Sequence, residues 1–341
     1  MAETIADIGE FGLIDRIHQL VKKRGVELPP SSLGIGDDTA FFSPRPGFEL
    51  LLTCDCLVEG RHFLPEFISP FNLGRRAMSV NLSDIGAMGG LPLYALVSLG
   101  LKADMLVADV EAMYNGFLEE LNPFKASIIG GNITKVKDAT FIDITLIGQV
   151  KKGKIVLRST AKPGDSILVT GFPGQAAAGL RLLQQSGVNA ESKKDPLVRA
   201  FITPSHRAWE GSRVGNSGLA TAMIDISDGL LGDLGHICQA SGIGAELDQN
   251  KLPLSEDLKR FADEFELNPY ELVLKESDDY ELIITCKPEK EAELCSIITS
   301  TGKVPVSKIG KIVNKPGEII LKLVDGSQQR LTPSGWNHFT Q

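Results

Sequence analysis

The chain places carboxylates where its hydrophobic patterning leaves little room for them. Asp225-Ile226-Ser227-Asp228-Gly229 sets two carboxylates, a hydroxyl and a glycine at the point where the apolar run Ala222 to Ile226 meets a new amphipathic segment. Three acidic stretches upstream share that placement: Gly36-Asp37-Asp38, Asp55 in Thr53-Cys54-Asp55-Cys56, and Asp84 in Asn81-Leu82-Ser83-Asp84. A carboxylate at the end of an apolar run, or inside one, is costly unless compensated. Such groups, scattered in sequence, imply one collected site whose positive charge arrives as a divalent metal. With no zinc-type ligand set present, magnesium held for a phosphate substrate is the natural reading.

At 341 residues and 43% hydrophobic content, the chain can form two domains with full cores. Its net charge of −8 argues against non-specific nucleic-acid binding and against an anionic membrane surface as partner. No apolar run approaches the ~20 residues of a membrane span. The opening residues show no basic segment followed by an apolar one, so a signal peptide is not expected. Five cysteines, an odd number at irregular spacing, suit reduced thiols in a cytoplasmic protein. Cys54 and Cys56 alternate with Asp55 and so point to the opposite face of their strand. Without a second pair to complete a zinc set, buried strand cysteines are expected.

Helical spacing of Phe11, Ile14, Ile17, Leu20 and Val21 predicts a helix over residues 10–24. Strands are expected at 50–58, 91–101 and 140–150, helices at 73–88 and 107–121, and a short buried strand at 126–129 closing on Gly130-Gly131-Asn132. The polar connector Lys151 to Lys154 and the turn Lys162-Pro163-Gly164-Asp165 place a domain boundary nearby, giving domains 1–152 and 153–341. In the second domain, strands are expected at 166–170 and 280–286, and helices at 175–185, from the Asp225 motif toward Ala240, and at 289–300. Residues 308–313 and 318–324 read as a closing hairpin, and 185–195 as a mobile loop. The shared strand–helix rhythm makes both domains α/β.

Taken singly, several motifs have two readings. Gly34-Ile35-Gly36-Asp37-Asp38 is either an Asx-rich turn or a metal-bridging pair. Asp55, inside a strand, calls for a functional partner. Asp84 is either an internal cap or a ligand. His62, in Gly60-Arg61-His62-Phe63, is either a packing residue or an anion contact. Gly130-Gly131-Asn132 exposes backbone N–H groups that suit phosphate oxygens, although many turns look alike. The usual nucleotide and hydrolase signatures are absent: no Gly-x-x-x-x-Gly-Lys-Ser/Thr loop, no kinase-type Gly-rich strand, no Gly-x-Ser-x-Gly and no His-Glu-x-x-His.

Read together, these stretches resemble the thiamine-monophosphate kinase family of the aminoimidazole-ribonucleotide synthetase-like superfamily. The resemblance is carried by GEFGLIDRI, GIGDDTA, CDCLVEGRHF, NLSDIGAMG, Arg158-Ser159 with AKPGD, DISDGLLGDLGHI and DDYELIIT, and it extends to Trp336. It implies a two-domain α/β (α+β type) fold, with an N-terminal mixed sheet forming a homodimer interface and a C-terminal α/β domain completing the active site. It also implies ATP- and Mg²⁺-dependent phosphorylation of thiamine monophosphate, with several ions bound. By this resemblance Asp38, Thr53, Cys54 (through its backbone), Asp55, Asp84, Asn132, Asp225 and Asp228 hold metal. Gly131, Asn132, Arg158 and Ser227 contact ATP, and His62, Asp278 and Trp336 contact thiamine monophosphate. Asp225, Asp228 and Arg158 carry the transfer step.

Three positions depart from the family pattern. Asn132 stands where the family has aspartate in Gly-Gly-Asp-Thr, so the site loses one charge. Glu276-Ser277-Asp278-Asp279-Tyr280-Glu281 replaces Gly-Gly-Glu-Asp-Tyr-Glu, and Cys54 replaces threonine. The first two motivate one alternative, a related ATP-dependent enzyme acting on another small acceptor; a nucleotide-binding protein that has lost catalysis is a second, of another class.

Overall fold

A computed structural model describes residues 2–187, 194–275, 278–302 and 304–333. The chain divides into two compact units, Met1–Ile85 with Leu91–Lys152, and Gly86–Gly90 with Gly153–Gln341.

The first unit contains α1 (Ile5–Arg24), β1 (Phe48–Val58), α2 (Pro70–Ala87), β2 (Leu91–Leu101), α3 (Val107–Leu121), β3 (Ser127–Lys135) and β4 (Phe141–Lys151). Its four strands run in the order β1-β4-β2-β3. The sheet is mixed, because β2 and β3 are parallel whereas β4 is antiparallel to both β1 and β2. A parallel neighbour needs a crossover, and α3 supplies it. Along β4, buried Ile142, Ile144, Leu146 and Val150 alternate with half-buried Phe141, Asp143, Thr145 and Ile147, the period of a sheet covered on one face. The covering layer includes α2, whose Ile85 meets Gly148 of β4. Where α2 and α3 cross, a Cβ on Gly74 or Gly116 would lie 2.1 Å from the other helix's backbone, so these glycines set the closeness of that layer.

The other sheet face is open at β1. Leu52 is 68% exposed, and Leu50, Cys54 and Cys56 are exposed on the same face. This corrects the expectation of buried strand cysteines. Apolar alternation identifies the strand, but what covers its second face is not encoded in the strand itself. The expected short strand at 126–129 is also longer than its apolar run: β3 continues through Gly130-Gly131-Asn132 to Lys135, held by pairing to β2.

The second unit contains β5 (Ser166–Thr170), α4 (Gln175–Ser186), α5 (Pro196–Ile202), α6 (Ala208–Ser217), β6 (Ala220–Asp225), α7 (Leu230–Ser241) and β7 (Gly244–Asp248). It continues with α8 (Glu256–Glu264), α9 (Pro269–Leu274), β8 (Leu282–Cys286), α10 (Glu291–Gly302), β9 (Val306–Val313), β10 (Ile319–Lys322) and β11 (Gln328–Leu331). Seven strands run in the order β11-β10-β7-β9-β5-β8-β6. Successive residues of the central strands feed different cores. Ile167, Val169, Ile224 and Ile283 pack with α7, α8 and α9, whereas Leu168, Met223, Leu282 and Ile284 pack with α6 and α10. Strands buried on both faces read as continuous apolar runs, which is how β5, β6 and β8 appear in the sequence.

The expected hairpin at 308–313 and 318–324 does not form. β7 inserts between β9 and β10, pairing antiparallel with one and parallel with the other, and β10 turns instead to β11. The strand expected from Tyr280 begins at Leu282, because Tyr280 adopts a left-handed backbone at φ 56°. Of the expected mobile loop at 185–195, residues 188–193 lie outside the described residues. Among the described residues no helix is long and apolar enough to cross a membrane.

Candidate functional site

In the first unit the acidic residues gather at the covered face of β1. Thr53 and Asp55 project on the face opposite Cys54 and Cys56 and are half-buried. The Thr53 hydroxyl donates to Asp84 Oδ2, bringing a ligand candidate from α2 against the strand. Asp84 therefore faces the strand residues rather than capping a neighbouring loop. The Cys54 thiol lies on the other face, donating to Asp143 Oδ1 at 3.1 Å and accepting from the Thr145 hydroxyl at 3.6 Å. Only its main-chain carbonyl remains as a hard donor.

Asp38 is exposed in a loop clasped by two main-chain hydrogen bonds between Leu33 and Phe41. Its N–H donates to the side chain of the preceding residue, Asp37 Oδ1, at 2.8 Å. His62 folds back onto the end of β1, where Nδ1 accepts the Val58 N–H at 3.0 Å. That bond fixes a neutral imidazole with its proton on Nε2.

Asn132 is exposed on β3, at the opposite edge of the sheet from β1. Three strand spacings, about 14 Å, separate the two edges. The register runs Cys56–Asp143–Ser98–Asn132, whereas Asp55 shares its row with Gly131. The structure thus brings Thr53, Asp55 and Asp84 together but does not place Asn132 beside them within the chain.

In the second unit the Asp225 motif occupies the junction of β6 and α7. Asp225 ends the strand and is 4% exposed, while Ser227 and Asp228 are half-buried. Gly229 has φ 107°, a conformation that favours glycine, and it starts α7. Two main-chain bonds tie the loop to the segment before β8: Ile226 N–H to the Glu281 carbonyl at 2.7 Å, and Tyr280 N–H to the Ile226 carbonyl at 2.8 Å. Asp278 lies in that segment and accepts the Tyr280 hydroxyl at 3.2 Å. The substrate candidate Asp278 is therefore next to the metal candidates in the fold. Residues 276 and 277 and Trp336 lie outside the described residues.

Arg158 is exposed in a single 3-10 turn, Arg158–Thr160. Ser241, at the end of α7, holds this turn by donating to the Arg158 carbonyl at 2.8 Å and accepting from Ala161 N–H at 3.2 Å. The Leu157 carbonyl accepts from Met223 N–H at 3.3 Å, two residues before Asp225.

Sequence reasoning assigned no role to three acidic residues here. Asp233 is 2% exposed in the first turn of α7, and its Oδ2 accepts the N–H groups of Ser227 and Asp228 at 3.1 Å each. Burial, followed by the charges of Asp225 and Asp228, pushes its pKa up to about 8 despite those two amides. The signal was present, since Asp233 sits among Leu230, Leu231, Leu234 and Ile237 just as Asp55 sits in its apolar run. Asp279 accepts N–H groups of Gly174 and Ala176 at the start of α4. Glu281 forms a two-point pair with Arg207 and accepts the Thr170 hydroxyl at 2.6 Å. No short-range pattern marks those partners, which lie 74 or more positions away.

The donor sets of both units are oxygen: carboxylates, a hydroxyl, an amide and a main-chain carbonyl. Hard divalent cations such as Mg²⁺ prefer such donors. Burial first, and then the neighbouring charges of Asp225 and Asp228, raise the pKa of Asp233 at this junction. The residues present therefore fit Mg²⁺.

Residues 36–150 match the family model for the AIR synthase related protein N-terminal domain, and residues 162–322 match the corresponding C-terminal domain. Fold and paired domains thus define a two-domain protein of the AIR synthase related class. The thiamine-monophosphate kinase of Aquifex aeolicus is 36% identical over 98% of this chain and 99% of its own length. The chain belongs to the thiamine-monophosphate kinase family. Among solved structures, the thiamine-monophosphate kinase of Stenotrophomonas maltophilia superimposes with a TM-score of 0.80 at 33% identity, covering 94% of this chain and 98% of its own. A structure of AaThiL complexed with AMPPCP and TMP superimposes with a TM-score of 0.76 at 35% identity, covering 98% of both chains.

The Asp233 shift carries a consequence for the protein freed of metal. Between about pH 4 and pH 8 the folded state keeps a proton on Asp233 that the unfolded chain has released. Stability from this group is therefore greatest below pH 4 and falls as pH rises through that window. In EDTA, urea unfolding of Asp233→Asn is expected to show a flatter loss of stability toward pH 8 than wild type. Identical pH profiles would remove Asp233 from the account.

Proposed function

We propose that the chain transfers the γ-phosphoryl group of ATP to the terminal phosphate of thiamine monophosphate, giving thiamine diphosphate and ADP. The observation that carries this reading is the match, over 98% of both chains, to a relative holding AMPPCP and TMP together. Both reactants are anions, so their mutual repulsion is the main obstacle to encounter. Asp38, Thr53, the Cys54 carbonyl, Asp55 and Asp84 would hold Mg²⁺ in the first unit, and Asp225 and Asp228 would hold it in the second. When bound, Mg²⁺ neutralises and aligns phosphate oxygens. Asn132 would contribute an amide oxygen where the family has a carboxylate, and by the family resemblance it would contact the nucleotide together with Gly131.

Arg158 supplies a guanidinium for the nucleotide phosphates, from a turn that Ser241 fixes in place. The Ser227 hydroxyl faces the same charge from the Asp225 loop. On the acceptor side, His62 offers its Nε2–H and Asp278 its carboxylate toward the cationic substrate. Trp336 would stack on that cation, a role that rests on the family resemblance alone. The attacking phosphate oxygen is already ionised near neutral pH, so no side chain has to act as a strong base. Asp225 and Asp228 serve as ligands and not as nucleophiles.

The same reading includes a homodimer joined through the N-terminal sheets. Support comes from the open face of β1, where Leu52 is 68% exposed beside exposed Leu50, Cys54 and Cys56.

With saturating ATP and Mg²⁺, thiamine monophosphate is expected to yield thiamine diphosphate in step with ADP. Turnover only with other small acceptors would favour the related-enzyme alternative, and nucleotide binding without any turnover the non-catalytic one. Asp225→Asn is expected to lower kcat by about a hundredfold or more with the thermal transition retained; wild-type kcat would exclude Asp225 from the site. Leu52→Arg is expected to shift the protein to monomer in light scattering, and an unchanged dimer would place the interface elsewhere.

A further inference from the structure

The Asp225–Asp228 loop is held from two sides. On the β8 side, Ile226 exchanges main-chain bonds with Tyr280 and Glu281. On the α7 side, a single oxygen, Asp233 Oδ2, accepts the consecutive N–H groups of Ser227 and Asp228. The Asp233 N–H returns to the Gly229 carbonyl at 3.0 Å, so the carboxylate is anchored in the same turn that it closes. Carboxylate lone pairs are directional, and an oxygen receiving two amides fixes both peptide planes. Those planes carry the Cα atoms from which the Ser227 and Asp228 side chains leave.

We infer that Asp233 is a positioning residue: its carboxylate sets the backbone of Ser227 and Asp228 and so aims the Asp228 carboxylate and the Ser227 hydroxyl, instead of ligating metal itself. The inference rests on the proposed metal role of Asp225 and Asp228. The competing arrangement is a direct one, since ligand atoms of Asp228, Asp233 and His236 lie within 4.8 Å of one another. The two roles demand different things of the side chain. Positioning needs an acceptor at one reach and tolerates loss of charge. Ligation needs the negative charge and tolerates a longer arm. Asparagine satisfies the first demand and glutamate the second.

The test is Mn²⁺ binding to the full chain by calorimetry without nucleotide, with thermal unfolding recorded for each variant. Asp233→Asn is expected to weaken Mn²⁺ by no more than about threefold, and Asp233→Glu by about tenfold or more, with Asp233→Ala at least as impaired as Glu. If the alanine variant fails to fold, the Asn and Glu pair still decides. Glu binding as well as Asn or better would overturn the positioning role in favour of direct ligation. Wild-type affinity in every Asp233 variant, with only the unfolding temperature lowered, would reduce the residue to a structural one and overturn it too. Asp225→Asn, run alongside, separates the premise: if it binds Mn²⁺ like wild type, the metal reading itself falls and takes the role of Asp233 with it.

Discussion

Mutual repulsion of carboxylates at the junction of β6 and α7 is the constraint around which the second unit is organised. Asp225, Asp228 and Asp233 are confined to one strand end and the first turn of one helix, and two of the three are buried. Burial, and after it the charges of Asp225 and Asp228, raise the Asp233 pKa. Such an arrangement is unfavourable for stability in isolation. It persists because the surrounding backbone is over-determined: β8 pairs with β6 up to the loop, Glu281 and Tyr280 bond Ile226, and a glycine at positive φ turns the chain into α7. Strain of this kind is expected where a site is preorganised for charge that arrives with its ligand.

The first unit solves a related problem by different means. Its carboxylates come from a strand and a helix that pack on one another, and the Thr53–Asp84 hydrogen bond joins them. The close crossing of α2 and α3 at Gly74 and Gly116 brings the helical layer into place. The metal candidates are therefore mounted on regular elements in one unit and on a tightly bonded loop in the other, and Asp38 alone rides on an exposed turn. Catalysis by charge neutralisation needs such positioning more than it needs a proton-transferring side chain.

Much of this was legible in the chain. Apolar periodicity located β1, β2, β4, β5, α3 and α4 within a few residues, and acidic residues inside apolar runs marked Asp55, Asp84, Asp225 and Asp228. What escaped notice was non-local. The placement of β7 between β9 and β10 depends on a parallel pairing that no turn residue announces. The short helices α5, α6, α8 and α9 are too brief for a periodic signal. Exposure of Leu52, Cys54 and Cys56 was hidden because an apolar strand reads the same whether its second face meets protein or solvent. Asn132 resembled a member of the first unit's ligand set in sequence, yet the strand order sends it to the opposite sheet edge.

The central claim is that the phosphoryl group passes directly and in line between two phosphates whose charge is offset by the Mg²⁺ the carboxylates would hold, with no group of the protein taking the phosphoryl on the way. Stereochemistry at the transferred phosphorus tests it most directly. With ATP made chiral at the γ-phosphoryl by oxygen isotopes and thiamine monophosphate as acceptor, the account predicts inversion in the thiamine diphosphate formed. Retention would mean two displacements through a phosphoenzyme and would contradict it.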